Sequence, residues 1–138
     1  MGRILAIDYG LKRTGLAVTD PLKFIASPLE TVLTENLLQW LNNYLNKEEV
    51  ERFVVGFATK TDQSETHTTE PVNKLVIQLS KQFPDIPVSM EDERFTSKMA
   101  QQTMILGGMK KKDRRKKENV DKISAAIILQ SYMEKNQM

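Results

Sequence analysis

Carboxylates at the ends of predicted strands are the residues of this chain best suited to chemistry. Asp8 follows a short apolar run, and the cluster Glu91-Asp92-Glu93 ends a second such run. Asp121 stands at the start of the predicted last helix. Ligands of open sheets bind at the carboxyl ends of strands, and sites built only of oxygen suit Mg²⁺ or Mn²⁺. If the first and last strands run parallel, these acids predict a metal site for phosphodiester hydrolysis.

Each acid also has an interpretation that needs no metal. Asp8 precedes Gly10 and could hydrogen-bond its own backbone in an Asx-type turn. The cluster at 91–93 could be a solvated strand end, with Arg94 as an ion-pair partner. The helix macrodipole would stabilise Asp121 in a first turn by ~0.3–1 kcal/mol. Taken together, and with a basic run beside Asp121, the acids favour the metal site.

The rest of the composition narrows the chemistry. The chain has no cysteine and one histidine, His67. This excludes disulfides, thiolate zinc sites, cysteine nucleophiles and any site that needs two histidines. His67 stands in a long polar stretch, 58–69, and is interpreted as a solvated loop residue rather than as a base. Catalysis must therefore depend on carboxylates, hydroxyls, amines or a metal held by oxygen.

Positive charge is concentrated in one segment of the chain. The net charge is +2, but residues 110–117 carry seven positive charges and one negative, so the remainder of the chain is −4. Such a basic segment on an otherwise acidic domain indicates a polyanionic partner met on one face, and a solvated loop is the alternative. Lysine and arginine in an irregular stretch offer charge without fixed geometry. We therefore expect the segment to bind phosphates without reading bases.

Length and hydropathy predict one soluble domain, 1–138. The chain contains no apolar run near the ~20 residues that span a bilayer. Its first residues lead directly into a strand rather than into a signal peptide. We therefore expect a cytoplasmic protein that does not contact membranes.

The predicted elements alternate between strands and helices. Strands on either side of a turn bracketed by Gly10 and Gly15 predict an antiparallel hairpin, and a strand, a helix and another buried strand predict a parallel crossover. Pro28 confines the third strand to a sheet edge. Thr34 and Asn119 are the expected N-caps of the first and last helices. The predicted helices span 35–45, 71–83, 98–106 and a last segment from 120, and the later strands span 28–32, 50–57 and 88–94.

Four stretches combine these features: IDYGLKRTGLAVTD (7–20), VVGFATKTDQSE (54–65), DERFTS (92–97) and NVDKISAAIILQ (119–130). Together they resemble the YqgF family, also called RuvX, of pre-16S rRNA nucleases related to Holliday junction resolvases. The resemblance spans nearly the whole chain. It implies an α/β, ribonuclease H-like fold with a five-stranded mixed sheet flanked by helices on both faces. It also implies a metal-dependent endonuclease that processes the 5′ end of pre-16S rRNA, a structured RNA, in ribosome biogenesis.

The resemblance assigns roles to individual residues. The family's acids fall on Asp8, on the pair Asp92-Glu93 and on Asp121, and all four are implied ligands of Mg²⁺ or Mn²⁺. Glu93 is preferred to Asp92 as the catalytic acid beside Asp8 and Asp121. The family's Gly-x-Pro and Asp-Gly-Ser are replaced here by 56–58 (GFA) and 62–64 (DQS). The expected nucleic-acid-binding residues are Lys12, Arg13, Arg94, Lys111, Arg114 and Arg115.

Other function classes fit some of the same residues. A Holliday junction resolvase acting on branched DNA needs the same acids, and an inert RNA-binding module needs only the basic segment. A nucleotide-binding kinase or actin-like fold also has Asp-x-Gly in its first hairpin. That fold requires two domains, and no P-loop lysine follows Gly15. We expect a monomer or a weak homodimer.

Overall fold

The computed structural model describes residues 2–23, 25–57, 69–92 and 117–136, with side chains for all of these except 57, 69, 92 and 117–121. Strands and helices alternate along the described chain, beginning with a three-stranded meander. The elements are β1 (Arg3–Asp8), β2 (Arg13–Thr19), β3 (Ala26–Leu33), α1 (Leu37–Leu45), β4 (Val50–Phe57), α2 (Thr69–Gln82), β5 (Val88–Asp92) and α3 (Lys117–Lys135).

The strands form one mixed sheet in the order β3-β2-β1-β4-β5. β1 runs antiparallel to β2, and β2 antiparallel to β3, whereas β1, β4 and β5 run parallel to one another. The predicted five-stranded mixed sheet is confirmed. β3 lies at an edge, where Pro28 pairs with Ala17 beside a register shift. Residues 4–7 of the central strand are at most 1% exposed, as expected for a strand covered on both faces.

Alternate residues of the sheet contribute to two separate cores. Leu5 and Ile7 of β1 pack with α1 and α2, whereas Ile4 and Ala6 pack with α3. This division follows from the period of two along a strand, which sends successive side chains to opposite faces. The helices therefore cover both faces of the sheet, as the resemblance implied.

α1 begins two residues later than predicted. Thr34 opens a 3₁₀ turn, Thr34–Asn36, and its hydroxyl makes no capping hydrogen bond to the helix. It donates instead to the carbonyl of Gly10 in the hairpin loop. The prediction of Thr34 as an N-cap is wrong because a tertiary acceptor takes its hydroxyl.

Within α1, burial raises the pKa of the Tyr44 hydroxyl, and the positive charge of Arg3 offsets this only in part.

α2 and α3 lie where the sequence predicted helices, but they begin at other residues than predicted. α2 begins at Thr69, with Pro71 in its first turn. α3 begins at Lys117, so Asn119 is its third residue and the prediction of Asn119 as its N-cap is wrong. The predicted helix 98–106 and the polar loop with His67 lie outside the described residues. In the part of the chain that the structure describes, none of the helices is long and apolar enough to cross a membrane.

Candidate active site at the carboxyl edge of the sheet

One register row crosses the whole sheet at the carboxyl end of β1. Asp8 pairs with Gly15 of β2 and with Gly56 of β4. Gly15 pairs in turn with Thr31 of β3, and Gly56 with Glu91 of β5. Neighbouring strands lie about 4.8 Å apart, so the backbones of Asp8 and Glu91 are about 10 Å apart. Because both strand neighbours of Asp8 are glycines, neither one places a side chain beside its carboxylate.

Asp8 belongs to the face of the sheet that α3 covers. Ile4 and Ala6, four and two residues earlier on β1, pack against α3, and strand side chains alternate with period two. α3 contacts β1 as well as β2 and β3. Asp8 is thus a half-buried strand residue with a pairing partner on each side. This position argues against the interpretation of Asp8 as a turn residue.

The other predicted acids lie on two further elements. Asp92 is the last residue of β5 and pairs with Phe57, so its backbone shares the sheet edge of Asp8. The parallel direction of β1, β4 and β5 therefore confirms that these two strand ends meet at one edge. Asp121 lies in α3, one turn before the buried Ala125. The predicted site residues outside the described part of the chain are Glu93, Arg94, Lys111, Arg114 and Arg115.

Among the side chains that the structure describes, no three of histidine, cysteine, aspartate or glutamate come close enough together to hold a metal ion. Of the four predicted ligands, Asp8 alone belongs to that set. The assignment of Asp92, Glu93 and Asp121 as ligands stays a prediction.

The hairpin loop after β1 is tied to the chain that follows β3. The Thr34 hydroxyl donates to the Gly10 carbonyl at 2.6 Å and lies 2.9 Å from the Thr14 hydroxyl, and the Thr34 amide donates to the Lys12 carbonyl at 2.9 Å. A Cβ on Gly10 would lie 2.4 Å from the Arg13 carbonyl oxygen, so only glycine fits there. We call these contacts the hairpin brace. They hold the loop that presents Lys12, which is exposed, and Arg13, which is partly buried.

Glu91 is a buried carboxylate whose contacts the sequence did not reveal. Its side chain is 6% exposed and accepts hydrogen bonds from Lys135 Nζ at 2.5 Å and from Ser131 Oγ at 3.2 Å. These bonds hold the end of α3 against the end of β5. The sequence feature that could have indicated this contact is the spacing of Ser131 and Lys135, which are four residues apart and therefore share one helix face.

Replacing Lys135 with methionine should destabilise the fold by about 1–3 kcal/mol, because among the described residues it leaves the buried Glu91 carboxylate with Ser131 as its remaining donor. The reverse change, Glu91→Met, should cost less, because Lys135 is 63% exposed and water can solvate it. Urea unfolding measures both effects.

Lys74→Met is the matched control for this prediction. Lys74 pairs with Glu70 on the surface of α2 at 3.7 Å, with both side chains more than 70% exposed. Such a pair contributes about 0.3–0.5 kcal/mol. Equal losses for the two lysine variants would show that the Glu91–Lys135 pair contributes no more than a surface pair.

A solved structure has the same architecture. The Thermus thermophilus RuvC protein in complex with a Holliday junction substrate matches with a TM-score of 0.58 at 18% identity, covering 99% of this chain and 96% of that one. The likeness confirms the predicted ribonuclease H-like fold.

The sequence comparisons identify the family. A protein of Amoebophilus asiaticus is 53% identical over 133 residues, covering 96% of this chain and 94% of its own length. A protein of Porphyromonas gingivalis is 52% identical over 134 residues, covering 97% of each. Both carry the name "Putative pre-16S rRNA nuclease". Residues 2–135 match the family described as RuvX, Holliday junction resolvase, and the chain belongs to this family.

Proposed function

We propose that this chain is a metal-dependent endonuclease that hydrolyses phosphodiester bonds in structured RNA, with the 5′ end of pre-16S rRNA as its substrate. The observation that carries the proposal is the position of Asp8, a strand-end carboxylate between two glycines at the sheet edge that β5 shares. The name of the relatives supports an RNA substrate. The family description supports branched DNA as the second candidate.

The donor chemistry at this edge fits Mg²⁺ or Mn²⁺. Both ions prefer carboxylate oxygen, and the glycine neighbours of Asp8 leave space on either side of its side chain. Asp8 would hold the ion together with Asp92, Glu93 and Asp121. When bound, such an ion activates a water molecule for attack and stabilises charge on the leaving oxygen.

The remaining residues of the site would position the nucleic acid. The hairpin brace holds Lys12 and Arg13 in a fixed loop directly after Asp8, where they can contact phosphates on either side of the bond to be cleaved. Arg94 follows the acidic pair at the end of β5 and would act in the same way. Contacts to phosphate set the register of the strand but carry no sequence information. These phosphate contacts would therefore position the strand without selecting its sequence.

A cleavage assay tests the proposal. We expect the protein with Mg²⁺ or Mn²⁺ to cut an RNA that carries the pre-16S 5′ end, and EDTA to abolish the cut. An unrelated structured RNA and a four-way DNA junction are incubated in parallel. Preferential cutting of the junction would favour the resolvase. Binding without metal-dependent cutting of any substrate would favour the inert RNA-binding module.

The basic segment should contribute to affinity through phosphates alone. Replacing Lys111, Arg114 and Arg115 together with glutamine should reduce the slope of log affinity against log salt by between about 2 and 3, because each phosphate contact releases about 0.7–0.9 of a counterion. Binding to RNAs of different sequence should weaken equally. The measurement is an anisotropy titration in EDTA at several salt concentrations.

The matched control removes three other surface cations, Lys47, Lys74 and Lys81, by the same substitution. It changes the net charge equally but leaves the basic segment intact. The control should keep the salt slope of the wild type. An unchanged slope in the basic-segment variant would contradict the prediction.

A further inference from the structure

A small groove opens beside the hairpin loop, at the sheet edge that carries the candidate active site. Its volume is about 320 Å³. This is at the lower end of the range for small-ligand pockets and is enough for one nucleobase or a group of similar size. The groove is lined by Leu11, Lys12, Arg13, Leu33 and Glu35.

Two leucines face solvent in this groove. Leu11 is 60% exposed and Leu33 is 51% exposed. Single exposed leucines are ordinary on protein surfaces, but apolar side chains gathered in a concavity with polar groups at the rim mark a binding site. Lys12 and Arg13 also line the groove and supply positive charge, and Glu35 supplies one carboxylate. The groove therefore suits a ligand with a flat apolar part, a hydrogen-bond donor and a negative charge.

The groove lies close to Asp8. Arg13 pairs with Leu33 across β2 and β3, and it stands two residues from Gly15, the pairing partner of Asp8. Such diagonal neighbours in a sheet are about 7–8 Å apart. A nucleic-acid strand advances about 3.4 Å per nucleotide along a helix axis. A strand with its scissile phosphate at Asp8 would therefore reach the groove in about two nucleotides.

The walls of the groove are held before any ligand arrives. Thr34 stands between Leu33 and Glu35 in the chain, and its hydroxyl and amide form the hairpin brace to Gly10 and Lys12. One residue thus fixes both walls relative to each other. A site held in this way loses less conformational entropy on binding than a flexible one.

We infer that this groove binds one unpaired nucleotide within about two nucleotides of the scissile phosphate. Leu11 and Leu33 pack against the base, Lys12 and Arg13 contact the flanking phosphates, and Glu35 accepts a hydrogen bond from a base amino group. Inside a duplex both faces of a base are covered by stacked neighbours, so an unpaired base is required. The inference rests on the proposed nuclease function. It narrows the substrate to the boundary between a duplex and a single strand.

Binding of matched hairpins tests the inference. The four probes are an RNA hairpin with a three-nucleotide overhang, the same hairpin without an overhang, the overhang hairpin with abasic overhang positions, and a DNA copy of the overhang hairpin. Anisotropy is measured in EDTA, so that affinity is separate from cleavage. The wild type should bind the RNA and the DNA hairpins whose overhangs carry bases at least about fivefold more tightly than the blunt and abasic hairpins.

Variants of the groove should change this preference in both directions. The double variant Leu11→Ser, Leu33→Thr should bind all four probes equally, and Leu11→Tyr should increase the preference by enlarging the apolar wall. Leu22→Ser is the matched control, since Leu22 is 59% exposed in the turn between β2 and β3, outside the groove. The control should keep the preference of the wild type. Leu11→Ser alone, confined to the loop, replaces the double variant if that one does not fold.

Two results would overturn the inference. One is equal binding of overhang and abasic probes by the wild type, and the other is a preference that survives in the leucine variants. A parallel cleavage assay with Mg²⁺ separates this inference from the proposed function. Cleavage by a wild type without overhang preference rejects the groove alone, whereas overhang preference without cleavage supports the groove and rejects the nuclease.

Discussion

Replacing Asp8 with asparagine is expected to abolish cleavage while leaving the fold and RNA binding nearly intact. Asparagine has almost the same size but no charge to hold a divalent cation. The paired residues on either side, Gly15 and Gly56, have no side chains that could substitute for it. The rate should fall by about 10²- to 10³-fold, as when one group that stabilises a transition state is removed. Single-turnover cleavage of the pre-16S 5′ end in Mg²⁺ measures this loss.

The control for this prediction is Asp85→Asn, because Asp85 is an exposed residue in the turn between α2 and β5. It should cleave at the rate of the wild type. RNA affinity in EDTA should be the same for all three proteins. Retained turnover in Asp8→Asn, with a contaminating nuclease excluded, would return Asp8 to a structural role.

The parts of the fold that depend on local pattern were predictable from the sequence. The apolar run before Asp8 and the glycines at 10 and 15 predicted the β1–β2 hairpin, and Pro28 placed β3 at an edge. The strand, helix and strand pattern across 28–57 predicted a crossover in a parallel sheet. β4 does lie parallel to its neighbour, but that neighbour is β1 rather than β3. In these stretches the turn-forming residues and the spacing of the apolar residues predict the same element. Local preference and tertiary packing agree there.

The helix starts were predicted less well, because caps compete with tertiary contacts. Thr34 has the chemistry of an N-cap, but the Gly10 carbonyl of a distant loop takes its hydroxyl. Asn119 also suits a cap, but α3 continues two residues further towards its N-terminus. The few residues around Thr34 do not include the Gly10 carbonyl, and the few residues around Asn119 do not reveal that α3 begins earlier. A capping rule based on neighbours in sequence therefore misplaces such helix starts by up to one turn.

The candidate site was also predictable from the sequence only in part. The edge that Asp8 shares with Asp92 follows from the parallel direction of β1, β4 and β5, which the prediction of the metal site had taken as its condition. The place of Asp121 depends on how α3 crosses the sheet. Lys135 is bound to Glu91 and lies about 21 Å along the helix from Asp121. The backbones of Glu91 and Asp8 are about 10 Å apart across the sheet. The distance from Asp121 to Asp8 therefore depends on the angle at which α3 crosses the sheet. Core packing of α3 sets that crossing angle, and no short motif encodes it.

Millimolar Mg²⁺ or Mn²⁺ should raise the melting temperature of the wild type. If Asp8, Glu93 and Asp121 converge, their carboxylates repel one another without a cation and bind it together in the folded state. Mass action then adds about 1.4 kcal/mol at a tenfold excess of metal over Kd and about 2.7 kcal/mol at a hundredfold excess. For a domain of this size this corresponds to a rise of several degrees. Thermal melts at constant ionic strength, with and without EDTA, measure it.

The variants show which acids take part. Asp8→Asn, Glu93→Gln and Asp121→Asn should each reduce the metal-dependent rise, and each should slightly raise the melting temperature in EDTA, because one repelling charge is gone. Asp92→Asn should reduce the rise less than Glu93→Gln, since Glu93 is the preferred catalytic acid of this pair. Asp85→Asn should melt like the wild type in both conditions. If the melting temperature of the wild type does not respond to metal at neutral pH, the carboxylates do not form one site. The basic segment would then explain the binding of nucleic acid without cleavage, and the inert RNA-binding module would become the better account of this chain.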